Sequence, residues 1–107
     1  MIKVGIIGYG YWGPNLVRNF YGLDACTVIC VADAKEARLA VVKKSYPTIE
    51  CVLDANVLLN NANVDAVIIA TPVFSHYTLA KKALQNGKHV LLEKPMTSTV
   101  EIGRAHV

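Results

Sequence analysis

The sequence predicts an α/β domain built on a doubly wound parallel sheet. Short β-branched apolar runs alternate with segments of helical period, and the runs lack the polar alternation of a sheet with one solvated face. Such strands are covered by helices on both sides. Right-handed crossovers then give about five strands in the order 3-2-1-4-5. We expect no sixth strand, since no sequence is left to form it.

Glycine, proline and polar residues separate the elements. The predicted strands are Ile2–Ile7, Thr27–Ala32, Ile49–Leu53, Val64–Ala70 and Val90–Glu93. The predicted helices are Asn15–Tyr21, Lys35–Ser45, Ala55–Asn60 and His76–Asn86. In the second helix we expect Ala37, Ala40 and Val41 to face the core. Ser98 and Glu101 have the S-x-x-E spacing of a capping box, which predicts a further helix starting near Ser98.

The composition is that of one globular domain, because 53% of the 107 residues are apolar and 18% are charged. A net charge of +3 from scattered basic residues argues against nucleic-acid binding. No apolar run reaches the roughly 18 residues that a membrane span needs, and we expect no signal peptide at the N-terminus. The three cysteines form no C-x-x-C pair. They indicate small buried side chains in a reducing cytoplasm, without a metal site.

A glycine loop follows the first strand, and its residues are Gly8, Tyr9, Gly10, Tyr11, Trp12 and Gly13. In a G-x-G-x-x-G loop the first glycine permits a tight turn, the second lets the backbone approach a pyrophosphate, and the third lets the helix pack closely. The helix N-terminus then faces the phosphates. Between a strand and a helix, this loop predicts a dinucleotide site, and a glycine turn without a ligand is the alternative. Tyr11 and Trp12 either cover the loop or flank the cofactor or substrate.

The dinucleotide-binding fingerprint consists of the glycine loop and an acidic residue about twenty residues further on. Asp33 is that acidic residue, at the end of the second strand and twenty residues beyond Gly13. A carboxylate there accepts hydrogen bonds from the adenosine ribose and repels a 2′-phosphate, which favours NAD over NADP. Lys35 can offset part of this repulsion. Asp33 can also cap the helix that begins near Lys35, and the two roles are compatible.

Two later loops end at the same edge of the sheet, where open parallel sheets bind ligands. The first contains Thr71, Pro72 and, at the start of the next helix, His76. His76 is either a surface cap or a hydrogen-bonding group for cofactor or substrate.

The second of these loops contains Glu93, Lys94 and Pro95. A charged pair directly after an apolar strand is costly unless it has a function. A lysine beside a nicotinamide can donate to a substrate oxygen and help to move its proton. A Glu–Lys ion pair that closes the strand is the alternative.

These segments resemble the glucose–fructose oxidoreductase/inositol dehydrogenase (GFO/IDH/MocA) family over about residues 1–101. The resemblance rests on G-Y-G-Y-W-G-P-N-L, on Asp33, on A-T-P-x-x-x-H and on G-K-H-V-L-L-E-K-P. It implies an NAD(P)-binding Rossmann domain over residues 1–101, followed in the family by an α/β domain for substrate and oligomer contacts. By the same resemblance Lys94 is the catalytic lysine. The implied cofactor-site residues are Gly8, Gly10, Gly13, Asp33, Thr71, Pro72, His76, Glu93 and Pro95.

The implied activity is hydride transfer between a nicotinamide and a carbinol carbon of a sugar, sugar nucleotide, inositol or related polyol, in a homo-oligomeric parent protein. A non-catalytic NAD-binding or sensor module is the alternative, but it has no need of E-K-P. Dehydrogenases of the aspartate-semialdehyde or dihydrodipicolinate kind share the glycine loop and fit E-K-P poorly.

Residues 102–107 (I-G-R-A-H-V) resemble the in-frame translation of a common sequencing adapter. We therefore expect the natural protein to continue differently after residue 101, and a genuine short protein is the alternative. The chain alone is expected to be inactive. It is also expected to be poorly soluble, because the fifth strand would be an open edge.

Overall fold

A computed structural model of the chain describes residues 2–10, 13–21, 25–71, 73–93 and 100–103. In these residues the strands are β1 (Ile2–Ile7), β2 (Cys26–Ala32), β3 (Glu50–Val52), β4 (Ala66–Ile69), β5 (His89–Glu93) and β6 (Val100–Gly103). The helices are α1 (Gly13–Tyr21), α2 (Glu36–Ser45), α3 (Ala55–Leu59) and α4 (Val73–Gln85). Among the described residues, no helix has the length and apolar composition that a membrane crossing requires.

The parallel part of the sheet has the predicted order, β3-β2-β1-β4-β5, and this part of the fold prediction is confirmed. The expected absence of a sixth strand is wrong, because β6 pairs antiparallel with β5 and extends the sheet. Ser98 lies outside the described residues, but Val100–Gly103 is a strand and not the first turn of a helix.

The pairing of β6 with β5 explains this difference. An edge strand presents unpaired N–H and C=O groups, and β6 satisfies those of β5 with Leu92 opposite Glu101 and Leu91 opposite Ile102. Two of the four residues, Val100 and Ile102, are β-branched and favour a strand. Long-range pairing therefore prevails over the local capping-box pattern. The first two residues of the segment 102–107 belong to this strand.

Two apolar layers cover the two faces of the sheet. On one face, Val17 of α1 and Val42 of α2 pack with Ile6 of β1. On the other, Leu58 of α3 and Ala83 of α4 pack with Ile69 and other strand residues. Successive strand residues thus enter opposite layers, as a sheet with helices on both faces requires.

The buried face of α2 differs from the prediction. Leu39 and Val42 are buried, whereas Ala37, Ala40 and Val41 are exposed. Leu39 and Val42 are three residues apart on one side of the helix. These two side chains remove more apolar surface from water than two alanines would, which favours this rotation of the helix.

Of the three cysteines, Cys30 is buried, whereas Cys26 and Cys51 are partly buried. Burial in the apolar layer, with a smaller contribution from Glu50, raises the pKa of the Cys30 thiol to about 12. The thiol therefore stays protonated and packs as a small apolar side chain.

Lys88 is a buried charge at the amino ends of β4 and β5, on the edge opposite the glycine loop. Its Nζ donates to the carbonyl oxygens of Asn61 and Val64, each at 2.7 Å. Burial lowers the pKa of Lys88, and nearby Asp65 partly opposes this shift. The ammonium group thus fixes the turn before β4 to the start of β5.

We predict that Lys88→Met lowers the free energy of unfolding by about 1–3 kcal/mol, because the Val64 carbonyl loses its donor in a buried place. Urea denaturation measures the effect. Lys81→Met, at an exposed position of α4, is the control and should change stability by less than about 0.5 kcal/mol. Equal stability of the two variants would contradict this role for Lys88.

Candidate dinucleotide-binding site

The carboxyl ends of the parallel strands bring the predicted site residues to one edge. Gly8 directly follows β1, Asp33 directly follows β2, and Thr71 comes two residues after β4. The ladder continues past the strand ends, because the amide of Gly8 donates to the Ala32 carbonyl at 2.7 Å. Three loops distant in sequence therefore begin side by side.

Gly8 must be glycine for two reasons. Its φ is +96°, a conformation that is strained for other residues. A Cβ there would also lie 3.0 Å from Cγ2 of Thr71 and 3.1 Å from the carbonyl carbon of Ala70. The glycine loop is thus packed directly against the loop after β4, the first of the two later loops that the sequence places at this edge.

The carboxylate of Asp33 joins the glycine loop to the end of β2. Oδ2 accepts a hydrogen bond from the amide of Tyr9 at 2.8 Å, and Oδ1 accepts one from the amide of Lys35 at 2.8 Å. Asp33 is 7% exposed, and its bond from Tyr9 is buried, whereas its bond from Lys35 is partly buried. Lys35, and not Asp33, is the N-cap residue of α2, so Asp33 fixes the turn before the helix and does not cap it.

Tyr9 takes part in the site through its backbone. Its side chain is buried in the layer beneath α1, with Leu16 and Val17. Burial raises the pKa of the Tyr9 hydroxyl, and Tyr46 and Cys51 add to the effect. The cofactor contact of Tyr9 stays a prediction, and its amide donates to Asp33.

Arg38 is the residue of this edge that the sequence analysis missed. Its Nη1 is 3.5 Å from Oδ2 of Asp33, and its side chain is 43% exposed. A Cβ at Gly10 would lie 2.9 Å from the same Nη1, so the guanidinium lies over the second glycine of the loop. The available signal was a basic residue on the first turn of α2, close after the acidic residue that follows β2.

The remaining predicted residues are placed only in part. Helix α1 begins at Gly13, two residues before the predicted start at Asn15, so the last glycine of the loop opens the helix. Helix α4 begins at Val73, so His76 lies within its first turns and does not start it, contrary to the prediction. Glu93 is the last residue of β5 and lies opposite Val100. Five predicted positions lie outside the described residues: Tyr11, Trp12, Pro72, Lys94 and Pro95.

The described residues fit the adenosine and pyrophosphate parts of a dinucleotide. A carboxylate offers about four acceptor positions, and backbone amides occupy two of those of Asp33. Gly10 has no side chain, and the nearest atoms to its missing Cβ belong to the end of the flexible Arg38 side chain. The start of α1 lies at the same edge, and helix N-termini favour phosphate. Within the described part of the chain, no group of three or more His, Cys, Asp or Glu residues could hold a metal ion.

Comparison with known proteins agrees with this geometry. The family model described as "Oxidoreductase family, NAD-binding Rossmann fold" (GFO_IDH_MocA) matches residues 2–107. The chain belongs to the GFO/IDH/MocA family. The resemblance inferred from the glycine loop, Asp33 and the E-K-P segment is therefore confirmed.

Named relatives of this GFO/IDH/MocA chain include the scyllo-inositol 2-dehydrogenase (NADP(+)) IolW of Bacillus subtilis. It is 38% identical over 104 residues, which are 95% of this chain and 28% of the relative. The scyllo-inositol dehydrogenase of Lactobacillus casei, solved with NAD(H) and scyllo-inositol, is 31% identical with a TM-score of 0.83. The match covers 90% of this chain and 28% of that one.

A 3-ketoreductase of Actinomadura kijaniata, solved as a mutant with TDP-benzene and NADP, is 30% identical with a TM-score of 0.80, over 90% of this chain and 30% of that one. The chain thus spans less than a third of the length of each of these proteins. The family assignment consequently establishes an NAD(P)-binding Rossmann domain. The two solved relatives contain different forms of the cofactor.

The two loop glycines should respond differently to alanine. Gly8→Ala meets a positive φ and the Ala70 backbone, so we predict a loss of about 1–3 kcal/mol in the free energy of unfolding. Gly10→Ala meets only the end of the flexible Arg38 side chain, so stability should change by less than about 0.5 kcal/mol. Parallel urea denaturation of the two variants measures this. If the Gly10 variant were as unstable as the Gly8 variant, the proposed difference between the two positions, a backbone constraint at Gly8 and a side-chain contact at Gly10, would be wrong.

Proposed function

We propose that this chain is the cofactor-binding part of an NAD(P)-dependent oxidoreductase that transfers hydride between the nicotinamide and a carbinol carbon of a sugar, sugar nucleotide or inositol-like polyol. NAD is proposed as the preferred cofactor. The observation that carries the proposal is the bond between the Asp33 carboxylate and the Tyr9 amide, because it joins the two parts of the dinucleotide fingerprint.

The adenosine end of the cofactor is assigned to Asp33. Both of its oxygens are oriented by amides 2.8 Å away, so the carboxylate is positioned before a ligand arrives. A positioned acceptor binds ribose hydroxyls with little reorganisation. The same negative charge opposes a 2′-phosphate, which is the basis for preferring NAD.

The reacting end is assigned to the loops after β4 and β5. Glu93 ends β5 at the edge where Gly8 and Asp33 lie, and Lys94 is the next residue in the sequence. A nicotinamide supplies hydride acceptance and donation when bound. Lys94 is proposed to donate to the substrate oxygen and to help move its proton during that transfer. Thr71, Pro72 and His76 are proposed to line the nicotinamide side, with Glu93 and Pro95 shaping the site.

Support for a polyol substrate comes from the relatives. Two of those named above are scyllo-inositol dehydrogenases, and one of these was solved with scyllo-inositol. Substrate and subunit contacts are proposed to lie in sequence beyond residue 101 of a longer, homo-oligomeric parent protein. In this view the chain binds cofactor and lacks turnover by itself.

Calorimetric titration of the chain with NAD⁺ tests cofactor binding. We expect binding by the native chain and an affinity at least about tenfold lower in Asp33→Asn, which keeps one acceptor oxygen but loses the charge. Asp54→Asn is the matched control, because Asp54 accepts from the Asn56 amide in the same local pattern at an exposed site. No binding of NAD⁺ or NADP⁺ by the native chain would contradict the proposal.

The catalytic assignment is tested in the chain extended to the full length of its relatives. Lys94→Ala should lower kcat at least about a hundredfold, because a positioned proton donor is lost, while leaving the Kd for NAD⁺ unchanged. Lys81→Ala, at an exposed position of α4, serves as the charge-matched control. Undiminished kcat in Lys94→Ala would remove Lys94 from the mechanism.

A further inference from the structure

We propose that Tyr9 is a positioning residue whose buried side chain holds the glycine loop in the conformation that binds the dinucleotide. This inference rests on the proposed cofactor function and refines it. The G-x-G-x-x-G pattern specifies the glycines and leaves the residue between the first two open. In this chain that residue is a tyrosine that is 7% exposed, and its burial gives the position a role that the pattern does not assign.

The first argument is the lack of neighbouring side chains in this part of the loop. Tyr9 stands between Gly8 and Gly10, and a glycine loses more conformational freedom on folding than any other residue. Gly8 must in addition keep a φ of +96°. Among residues 8–10, only Tyr9 has a side chain that can restrain the backbone. An anchor for this turn is therefore needed at Tyr9.

The second argument is the place where the ring lies. It belongs to the apolar layer that contains Leu16 of α1 and Leu39 of α2. Burial, with smaller contributions from Tyr46 and Cys51, raises the pKa of the Tyr9 hydroxyl, so the end of the side chain lies on the side of β3. An aromatic side chain of this size removes a large apolar area from water. Its burial thus ties the loop to a layer formed by α1, α2 and β3.

The third argument is the backbone of the same residue. The amide of Tyr9 donates to Oδ2 of Asp33 at 2.8 Å, and the amide of Gly8 donates to the Ala32 carbonyl at 2.7 Å. The ring restrains the loop from the core, whereas these bonds restrain it from the end of β2. Without the ring, the hydrogen bonds would have to hold a glycine-rich segment alone, and the loop would spend part of its time in other conformations. A site that is competent for only a fraction of the time binds more weakly by that fraction.

The test is the Kd for NAD⁺, measured by calorimetry on the native chain and on three variants of Tyr9. Tyr9→Leu removes the ring and should raise the Kd about tenfold, which corresponds to a loop that is competent for about a tenth of the time. Tyr9→Phe keeps the ring and should hold the Kd within about twofold of the native value, because cores tolerate exchanges that conserve volume. Tyr9→Met fills the space with a flexible chain, and its Kd should lie between these two.

Val28→Ala is the matched control for a general loss of stability. Val28 is buried in the same apolar layer but lies in the first half of β2, away from the loop. This variant should be less stable in urea denaturation and keep the native Kd. Two-dimensional ¹⁵N–¹H spectra without ligand give a second readout. The amide signals of Gly8, Gly10 and Lys35 should shift or broaden in Tyr9→Leu and stay in place in Val28→Ala.

The outcomes separate this role from the proposed function. A native chain that binds neither NAD⁺ nor NADP⁺ overturns the proposed function and this inference with it. A native chain that binds NAD⁺, with the native Kd in Tyr9→Leu, overturns only the role of Tyr9. The role is likewise overturned if Val28→Ala or Tyr9→Phe raises the Kd as much as Tyr9→Leu does. If Tyr9→Leu does not fold, Tyr9→Met takes its place, and the native Kd in that variant overturns the role.

Discussion

The buried Asp33 carboxylate connects the segment between β2 and α2 to the glycine loop, whose Tyr9 lies 24 residues earlier in the chain. Its hydrogen bonds link the amide of Tyr9 in the glycine loop to the amide of Lys35 before α2, while Arg38 approaches from the helix itself. A nearly buried carboxylate needs such partners, since an unpaired charge away from water is very unfavourable. The same bonds orient its oxygens toward the edge where β1 and β2 end. The stability of the loop and the proposed binding of a ribose thus depend on one side chain.

The buried polar groups at the carboxyl ends of the parallel strands differ in role from those at the amino ends. At the carboxyl ends, Gly8 has a positive φ and the Asp33 carboxylate is buried, features that a stable fold alone does not require. At the amino ends, Lys88 is also buried and charged, but it is bonded to the carbonyls of Asn61 and Val64 within the loop before β4. The polar groups at the amino ends therefore hydrogen-bond to one another and stabilise the fold, whereas those at the carboxyl ends form the candidate ligand site.

Much of the fold and of the candidate site was predictable because it depends on local sequence patterns. The run Ile2–Ile7, the glycine loop and the position of Asp33 follow from patterns within about thirty residues. The parts that were not predicted depend on contacts between distant residues. The strand Val100–Gly103 forms because β5 offers an edge, which the capping-box pattern cannot report. The rotation of α2 that buries Leu39 and brings Arg38 to Gly10 is set by packing on the sheet.

A dinucleotide is proposed to bind across the glycine loop and the end of β2. The most direct measurement is a set of two-dimensional ¹⁵N–¹H spectra of the labelled chain during titration with NAD⁺. The largest amide shifts should occur at Gly8, Gly10, Asp33 and Arg38, with little change at Asn61 and Lys88 on the opposite edge. Shifts concentrated at that opposite edge, or no shifts at saturating NAD⁺, would contradict the claim.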